Sequence, residues 1–300
     1  MSRSRGLFFA FASLNASALV FVLGREGLRL VPFWSFLFYW YLFGLFPFAA
    51  MARARPETLP WRFRRANLKA LGVFFALDTV SALAFFWSLS HLPAAMSSFL
   101  SQIGLLFVVL IGVGWLGERY TRAEAAGTLL ILAGLALMAY TAQRGQRLGI
   151  ALSLVASLTW ALSHFWMKRL MRDENPWALA HLRNVVYFLI SMPGLIWLRE
   201  WPTVGSSWAW AVLAAGGLIG PFCNMGFRYE AVRALGVSRV SLIVAQNPLL
   251  VLLMTPLMGQ ELPSVRQIIG GIIALSGTIA LLMGAPQQSS PAGPATTAST

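Results

Sequence analysis

The chain has 300 residues, of which 58% are hydrophobic and 11% are charged. An ordinary soluble domain carries about 25% charged residues, so a soluble enzyme is excluded as the first interpretation. The net charge of +13 would suit nucleic acid, but the basic residues cluster in short gaps between apolar runs, so we expect no nucleic-acid partner. The single cysteine, Cys223, excludes an intrachain disulfide, and the three histidines lack ligand-like spacing, so neither a metal nor another cofactor is expected.

Ten apolar segments follow, and a helix needs roughly 20 residues to cross a bilayer. In chain order they are residues 6–23, 32–51, 68–90, 94–116, 123–140, 149–167, 177–197, 208–232, 237–258 and 264–283. The first resembles a signal peptide but lacks a clear cleavage site, so we interpret it as an uncleaved span. The sequence therefore predicts an all-α integral membrane protein in a lipid bilayer. The tail, residues 285–300, is predicted to be disordered because it is Pro, Ala, Ser and Thr without charge or periodicity.

The Lys and Arg residues of the loops predict the orientation of these spans. Alternate gaps, counted from the N-terminus, carry about 16 basic residues, and the remaining gaps carry about six. This count assigns Arg228 to the first set of loops and Arg25 and Arg29 to the second. Because basic loops remain on the cytoplasmic side, we expect both termini in the cytoplasm and the protein in a bacterial-type inner membrane.

Residues 91–134 recur further along the chain at a constant shift of 143 residues, without a gap. The shift places Glu118 on Glu261, Gly127 on Gly270 and Gly134 on Gly277. Since each half crosses the membrane about five times, an odd number, the second half must be inverted relative to the first. We expect a first repeat at 1–143 and an inverted repeat at 144–284. Exchange between two similar conformations of such repeats would give alternating access to a central site.

Several short motifs of both halves then carry a family resemblance. They are residues 156–162, Arg183, the Asn247-Pro248 pair with Glu261 and Gly270 in the second half, and Pro93-Ala94-Ala95 with Leu116-Gly117-Glu118 and Gly127 in the first. They resemble the EamA-type branch of the drug/metabolite transporter superfamily. The first half departs from the pattern at Leu105, which stands where the ninth span has Pro248, and around the position of Arg183, where it has Phe38 and Tyr39.

The resemblance implies a transporter of small metabolites, commonly an exporter of amino acids, with a cavity lined by spans one, three, four, six, eight and nine. In character the chain is closest to exporters of neutral and aromatic amino acids. The resemblance leaves the substrate, the direction and the ion coupling open. It also leaves the oligomeric state open, and a monomer is plausible.

Asp78 is the clearest polar candidate, since it lies roughly 15 Å inside the third span at 1.5 Å per residue. An ionisable group at that depth costs at least about 2.5 kcal/mol to insert. One interpretation is a ligand for a substrate amine or a proton-coupling carboxylate. The equally weighted alternative is a structural carboxylate paired with a neighbouring helix.

The sixth span carries an unusually polar stripe for a lipid-facing helix, containing Trp160 and, one turn later, His164. Trp160 could stack against an apolar or aromatic substrate, and His164 could titrate near neutrality. The favoured alternative for His164 is an ordinary hydrogen bond between helices.

Further candidate substrate contacts are amide and hydroxyl side chains near the middle of other spans. They are Asn15 in span one, Ser98 and Gln102 in span four, Asn224 in span eight, and Gln246 and Asn247 in span nine. Asn15 could instead form an interhelical hydrogen bond, and Gln246 and Asn247 could instead stabilise the helix kink at Pro248. The polar residues of span one align with those of span six only when the shift of 143 residues is changed by one residue.

Glycine and proline positions are candidate gates, although helix packing alone would explain the glycines of span eight. Three charged residues are assigned structural roles. The gate candidates are Pro93, Gly220, Pro221, Gly236 and Pro248, and the structural residues are Glu118, Glu261 and Arg183. Both glutamates precede a helix whose amides they could cap, with Thr121 and Ser264 as N-caps. Arg183 would either extend to the interface or pair with a buried carboxylate.

Three functional classes remain in order of preference. The first is a secondary transporter, an exporter or facilitator, of neutral or aromatic amino acids. The second is a carrier of phosphorylated or nucleotide-linked metabolites, which predicts several cations deep in the cavity, where only Arg183 comes near. The third is an intramembrane enzyme or structural subunit, disfavoured because no nucleophile or metal motif occurs and a fixed active site has no use for an inverted repeat.

Overall fold

The computed structural model describes residues 3–60, 63–116, 121–170, 173–200, 204–235 and 237–284, and within these ranges every regular element is helical. The α-helices are α1 (Arg3–Leu30), α2 (Phe33–Ala54), α3 (Leu68–His91), α4 (Ala94–Ser101), α5 (Ile103–Leu116), α6 (Arg122–Tyr140), α7 (Arg144–Leu170), α8 (Pro176–Trp197), α9 (Ser207–Gly217), α10 (Met225–Leu235), α11 (Val237–Val244), α12 (Asn247–Met254) and α13 (Val265–Gly284). A π-helix, Leu218–Asn224, joins α9 to α10. The predictions for Glu118, Gly236 and the tail lie outside the described residues.

The predicted ten spans are confirmed, because ten helical stretches of the described ranges are long and apolar enough to cross a membrane. The helices run further than the apolar segments do. α1 continues to Leu30, so Arg25 and Arg29 lie in its last turns and not in a loop. α10 continues to Leu235, so Arg228 also lies inside a span, and its assignment to a loop was wrong.

Spans four and nine are both interrupted near their middle. Span four consists of α4 and α5 with a break at Gln102, and span nine consists of α11 and α12 with a break at residues 245–246. The shift of 143 residues carries α4 onto α11 end for end. Pro248 lies in the first turn of α12, whereas Leu105 occupies the equivalent place in α5. The break therefore occurs in both repeats, although only one of them has the proline.

The N-termini of α6 and α13 are closed by the same reciprocal hydrogen bonds. The Glu124 amide donates to Thr121 Oγ1 at 3.2 Å, and the Thr121 amide donates to the Glu124 carboxylate at 2.7 Å. In the second repeat, Ser264 and Gln267 exchange equivalent bonds of 3.3 and 3.0 Å. Thr121 and Ser264 are thus confirmed as N-caps.

Glycines bring α6 and α13 into backbone contact. A Cβ added to Gly127 would lie 2.6 Å from the Gly277 carbonyl oxygen, and one added to Gly270 would lie 2.8 Å from the Gly134 carbonyl oxygen. Because the shift exchanges Gly127 with Gly270 and Gly134 with Gly277, each contact maps onto the other. Two contacts that exchange in this way are related by a twofold axis. The axis that relates the two repeats therefore passes through the crossing of α6 and α13.

The same relation extends to the other spans. In span seven, Asn184 Nδ2 donates to the Tyr41 carbonyl at 3.0 Å, and these two residues are themselves equivalent under the shift. Trp40, and not Phe38 or Tyr39, is therefore the counterpart of Arg183.

Spans one and six obey the unmodified shift as well. Ser81 Oγ donates to the Ala156 carbonyl at 2.9 Å, and Ser13 Oγ lies 3.5 Å from the Asn224 carbonyl, which is the equivalent pair. Easing the shift by one residue for span one was wrong.

Candidate functional site

A buried carboxylate, Asp78 on α3, is held by three side chains from α7 and α8. Its Oδ2 lies 2.6 Å from Arg183 Nε and accepts a hydrogen bond of 2.5 Å from the Tyr187 hydroxyl. Its Oδ1 accepts a longer bond, 3.4 Å, from Ser163 Oγ. Both carboxylate oxygens therefore have partners, and the cluster ties a helix of the first repeat to two helices of the second.

Arg183 is likewise directed inward, because its side chain is 24% exposed and that of Asp78 only 5%. Arg183 Nε also lies 3.1 Å from the Tyr187 hydroxyl, and its guanidinium carbon lies 5.3 Å from the centre of the Tyr187 ring. Of the two alternatives raised by the sequence, the structure has the ion pair. Removal of one partner from such a pair leaves an uncompensated interior charge, at a cost of about 3–5 kcal/mol.

Trp160 and His164 lie close to this cluster on α7. Their ring centroids are 4.2 Å apart, and both residues are partly exposed. Earlier in the same helix, Ser153 shares a 2.7 Å hydrogen bond with Ser88 of α3. The polar side chain of Ser153 therefore contributes to the packing of α7 against α3. His164 makes no hydrogen bond with the described residues, but it interacts electrostatically with Arg183 and Arg228.

Arg228 was not recognised from the sequence as an interior residue. It is partly buried on α10, and its Nε is buried without a hydrogen-bond partner among the described residues. Asn224, one turn earlier, is in the same condition, since its Oδ1 is buried and also has no partner there. Arg228 lies roughly 10 Å from the end of α10 at 1.5 Å per residue, and a charge inside a span has a cost that needs a reason.

The charged and titratable side chains of this cluster all lie toward the same face of the membrane. Because successive spans alternate in direction, the starts of α3 and α8 and the ends of α7 and α10 all lie at the membrane face where α1 starts, which we call the N-terminal face. Asp78 and Arg183 lie in the first halves of α3 and α8, and His164 and Arg228 lie six and seven residues before the ends of α7 and α10. The interior charge is therefore concentrated toward that face.

The opposite end of the interior, called here the closed end, is sealed by contacts between span one and its neighbours. Arg25 donates to the Leu89 carbonyl at 3.0 Å and to the Ser90 carbonyl at 2.5 Å. Gln260 Nε2 donates to the Val22 carbonyl at 2.8 Å. Helix α1 packs against α3, and α4 packs against α12.

The end at the N-terminal face lacks the equivalent contacts. The twofold axis relates the α1–α3 contact to one between α7 and α10, and the α4–α12 contact to one between α5 and α11. Neither of these two pairs packs extensively in the described residues. The helices of the interior are therefore packed less closely at the N-terminal face, and we infer an opening there; we call this end the open end.

Asn15 does not join the interior group. It is exposed, and its Nδ2 donates to the Phe11 carbonyl of its own helix at 2.9 Å. Its equivalent in the second repeat is Leu158, which lies on an exposed apolar stripe with Val155 and Phe165. Such a stripe is typical of a lipid-facing surface, so the position of Asn15 argues against a place in the substrate site.

The candidates of spans four and nine are also separate from the charged cluster. Ser98 is fully buried and donates to the Ala95 carbonyl of its own helix, so it serves packing. Gln102 is buried at the break of span four, and Asn247 is buried with an unpartnered Oδ1 at the break of span nine. Gln246 is exposed next to a helix whose exposed residues include Leu249, which also argues against a site role.

The gate candidates occupy the predicted irregular places. Pro93 precedes the first turn of α4, and Pro248 lies in the first turn of α12. Gly220 and Pro221 fall within the π-helix, which the missing proline N–H favours because it breaks the regular hydrogen-bond pattern. Glu261 is exposed and makes no hydrogen bond with the described residues, so Gln267 performs the capping expected of it.

The fold has ten membrane-spanning helices in two inverted repeats, with broken helices and an interior polar cluster between the repeats, and these features are typical of membrane transporters. The sequence model of the EamA-like transporter family matches residues 4–140 and again residues 147–283. The chain belongs to this family, so it is a multi-pass membrane protein that transports small metabolites.

Two further likenesses accompany the family match. A segment of 87 residues is 28% identical to a protein of Escherichia coli (strain K12) called "Probable amino-acid metabolite efflux pump". That segment spans 28% of this chain and 29% of that protein. A crystal structure described only as "Crystal structure of protein" matches with a TM-score of 0.66 at 20% identity, over 94% of this chain and 99% of the other. The latter likeness supports the fold alone.

Proposed function

We propose that the protein is a secondary transporter of neutral or aromatic amino acids, acting as an exporter or facilitator by alternating access. The observation that carries the proposal is the interior cluster of charge, amide and aromatic groups between the two repeats, open at one end and sealed at the other. The partial likeness to the Escherichia coli protein supports the same substrate class. The proposed orientation has both termini in the cytoplasm of a bacterial-type inner membrane.

The chemistry of the cluster suits a zwitterion with an apolar side chain. Asp78 and Arg183 neutralise each other, so the pair adds little net charge to the interior. Trp160 offers an aromatic face beside His164, against which an apolar or aromatic side chain can stack. In this proposal, the Asp78–Arg183 pair links the repeats and Trp160 contacts the substrate.

A carrier of phosphorylated metabolites is the second candidate, and one observation favours it. The interior holds two guanidinium groups, Arg183 and Arg228, where the sequence indicated only one. However, a phosphate group demands several cationic donors, and Asp78 already occupies Arg183. We therefore rank this candidate below an amino-acid transporter.

Counterflow in proteoliposomes tests the proposal. Vesicles holding the purified protein are preloaded with one unlabelled amino acid, and entry of labelled methionine, threonine or phenylalanine is followed without an ion gradient. We expect exchange with several neutral amino acids, above protein-free vesicles. If a folded protein exchanges none of them but exchanges phosphate or a sugar phosphate, the second candidate replaces the first.

A further inference from the structure

Arg228 is an interior cation that has no counter-ion among the described residues. Among the described residues it forms neither an ion pair nor a hydrogen bond, and its Nε is buried. Tyr229, Arg183 and His164 interact with it electrostatically, but none of the three is a carboxylate that could serve as its counter-ion. A cation in such a place is costly unless an anion joins it. The cost indicates that the partner of Arg228 is a ligand.

Asn224 lies on the same face of the helix, one turn before Arg228. The two residues are four positions apart, which puts their Cβ atoms roughly 6 Å from each other. The Asn224 carbonyl lies within 3.5 Å of Ser13 Oγ, which fixes this turn against α1. The side-chain Oδ1 is buried and has no donor in the described residues. The unpaired amide oxygen of Asn224 thus lies one helical turn from the unpaired guanidinium of Arg228.

We propose that Arg228 binds the carboxylate of the substrate and that Asn224 Oδ1 accepts a hydrogen bond from its ammonium group. This inference rests on the proposed function and adds a binding site to it. An α-amino acid presents both groups on one carbon, so a guanidinium and an amide oxygen one helical turn apart can hold them together. Trp160 and His164 then remain for the side chain of the substrate.

The charge balance favours a carboxylate over a phosphate. With Asp78 and Arg183 paired, the described interior holds one uncompensated positive charge, that of Arg228. A carboxylate carries one negative charge and matches a single guanidinium in a bidentate arrangement. A phosphate monoester would bring nearly two charges to one free cation.

A competition assay tests the carboxylate contact. Phenylalanine and its methyl ester, which lacks the carboxylate charge, compete with labelled phenylalanine in counterflow. In the wild type we expect the ester to compete about 10-fold or more weakly, as loss of a charge-assisted hydrogen bond requires. In Arg228→Gln the two competitors become nearly equal, whereas Arg228→Lys keeps part of the preference. Arg239→Gln, which alters an exposed arginine on α11, keeps the wild-type ratio. An unchanged ratio in Arg228→Gln overturns the inference.

Thermal stability of the purified protein separates this inference from the proposed function. We expect 3-phenylpropanoate, a carboxylate without an amine, to raise the Tm of the wild type but not that of Arg228→Gln, and phenethylamine to raise neither. If no amino acid exchanges but the carboxylate still stabilises through Arg228, the amino-acid proposal fails and the anion site stands. If amino acids exchange but only phenyl phosphate stabilises through Arg228, the carboxylate site fails.

Discussion

The two ends of the interior are related by one twofold axis, yet they carry different side chains. The shift pairs open-end residues with closed-end residues as follows: Asp78 with Pro221, Arg183 with Trp40, Tyr187 with Gly44, His164 with Phe21, and Arg228 with Phe85. Every position that is charged, titratable or hydroxylated in the open-end group is apolar in the other.

The closed end is sealed by packing of those apolar residues together with the hydrogen bonds of Arg25 and Gln260. The rings of Phe21 and Phe85 meet edge to face with centroids 5.1 Å apart. Trp40 is 1% exposed, and Gly44 lets Pro221 approach so closely that an added Cβ would lie 3.0 Å from it. One backbone frame thus supports a closely packed end and an end with a charged cluster. The two ends differ in their side chains although the fold repeats their backbone.

The largest expected effect comes from breaking the ion pair that only the open end has. Asp78→Asn and Arg183→Gln should each lower the free energy of unfolding by about 3–5 kcal/mol, because each leaves one interior group unmatched. The double variant should lose less than the sum of the two. Thermal denaturation in detergent measures all three, with Arg239→Gln as the control. Additive losses would show that the pair is not coupled.

The transport activity of Asp78→Asn follows from the same pair. We expect loss of counterflow with retained expression and membrane insertion, since the link between α3 and α8 is broken. Normal transport by this variant would remove Asp78 from the working site.

The next largest effect should come from replacing a residue of the open end by its counterpart at the closed end. Arg228→Phe introduces the residue that its counterpart Phe85 already has, and removes a cation that is costly to enclose. We expect the ratio of molecules closed at this end to molecules open there to rise roughly 10-fold, which corresponds to a free-energy difference of about 1.4 kcal/mol. The single cysteines Val232→Cys and Leu89→Cys, in a Cys223→Ser background, report the two ends because the shift exchanges them. Labelling by a thiol reagent should slow at Val232→Cys and quicken at Leu89→Cys; the reverse would contradict the twofold relation of the gates.

A smaller effect is expected from the aromatic residue of the open end. Trp160→Ala should weaken phenylalanine and methionine transport by about 10-fold relative to alanine, because a pocket contact discriminates by about 1–3 kcal/mol. The closed-end counterpart is the buried Ser17, and Ser17→Ala should change all substrates alike. Ratios of counterflow rates measure the difference. An equal loss for large and small substrates would limit Trp160 to packing.

The smallest effect should come from one hydrogen bond of the closed end. Gln260→Ala removes the donor to the Val22 carbonyl, worth about 1 kcal/mol. We expect labelling of Leu89→Cys to rise about fivefold, as that free energy requires. A matched variant, Gln143→Ala, alters an exposed residue and should leave the labelling rate unchanged.

Much of the fold could be predicted from the sequence because its signals are local or periodic. The ten spans follow from hydrophobic length, the inverted repeat from the recurrence of Gly127 and Gly134, and the caps from Thr121 and Ser264 next to a helix start. The break in span four escaped prediction, because no proline marks it at Leu105. That break depends on packing across the repeats, which no short window of sequence contains.

The site was less accessible to prediction, and its residue roles remain proposals. The pairing of Asp78 with Arg183 joins residues far apart in sequence, and only the insertion cost of each charge hinted at it. Tyr187 could have been found, since it follows Arg183 by one helical turn and shares its face. Arg228 was missed because a charge near the end of an apolar segment was counted as a loop residue. The insertion-cost argument used for Asp78 would have singled it out.

The glycine crossing of α6 and α13 has a consequence for how the protein moves. It lies on the twofold axis, and its backbones already touch at Gly127 and Gly277. In the proposed alternating-access cycle, a motion that interchanges the states of the two ends must leave the axis where it is, so we expect this crossing to stay fixed. A pair of spin labels next to the crossing would report a single distance. A pair at Leu89 and Val232 would report two distance populations, one for each state.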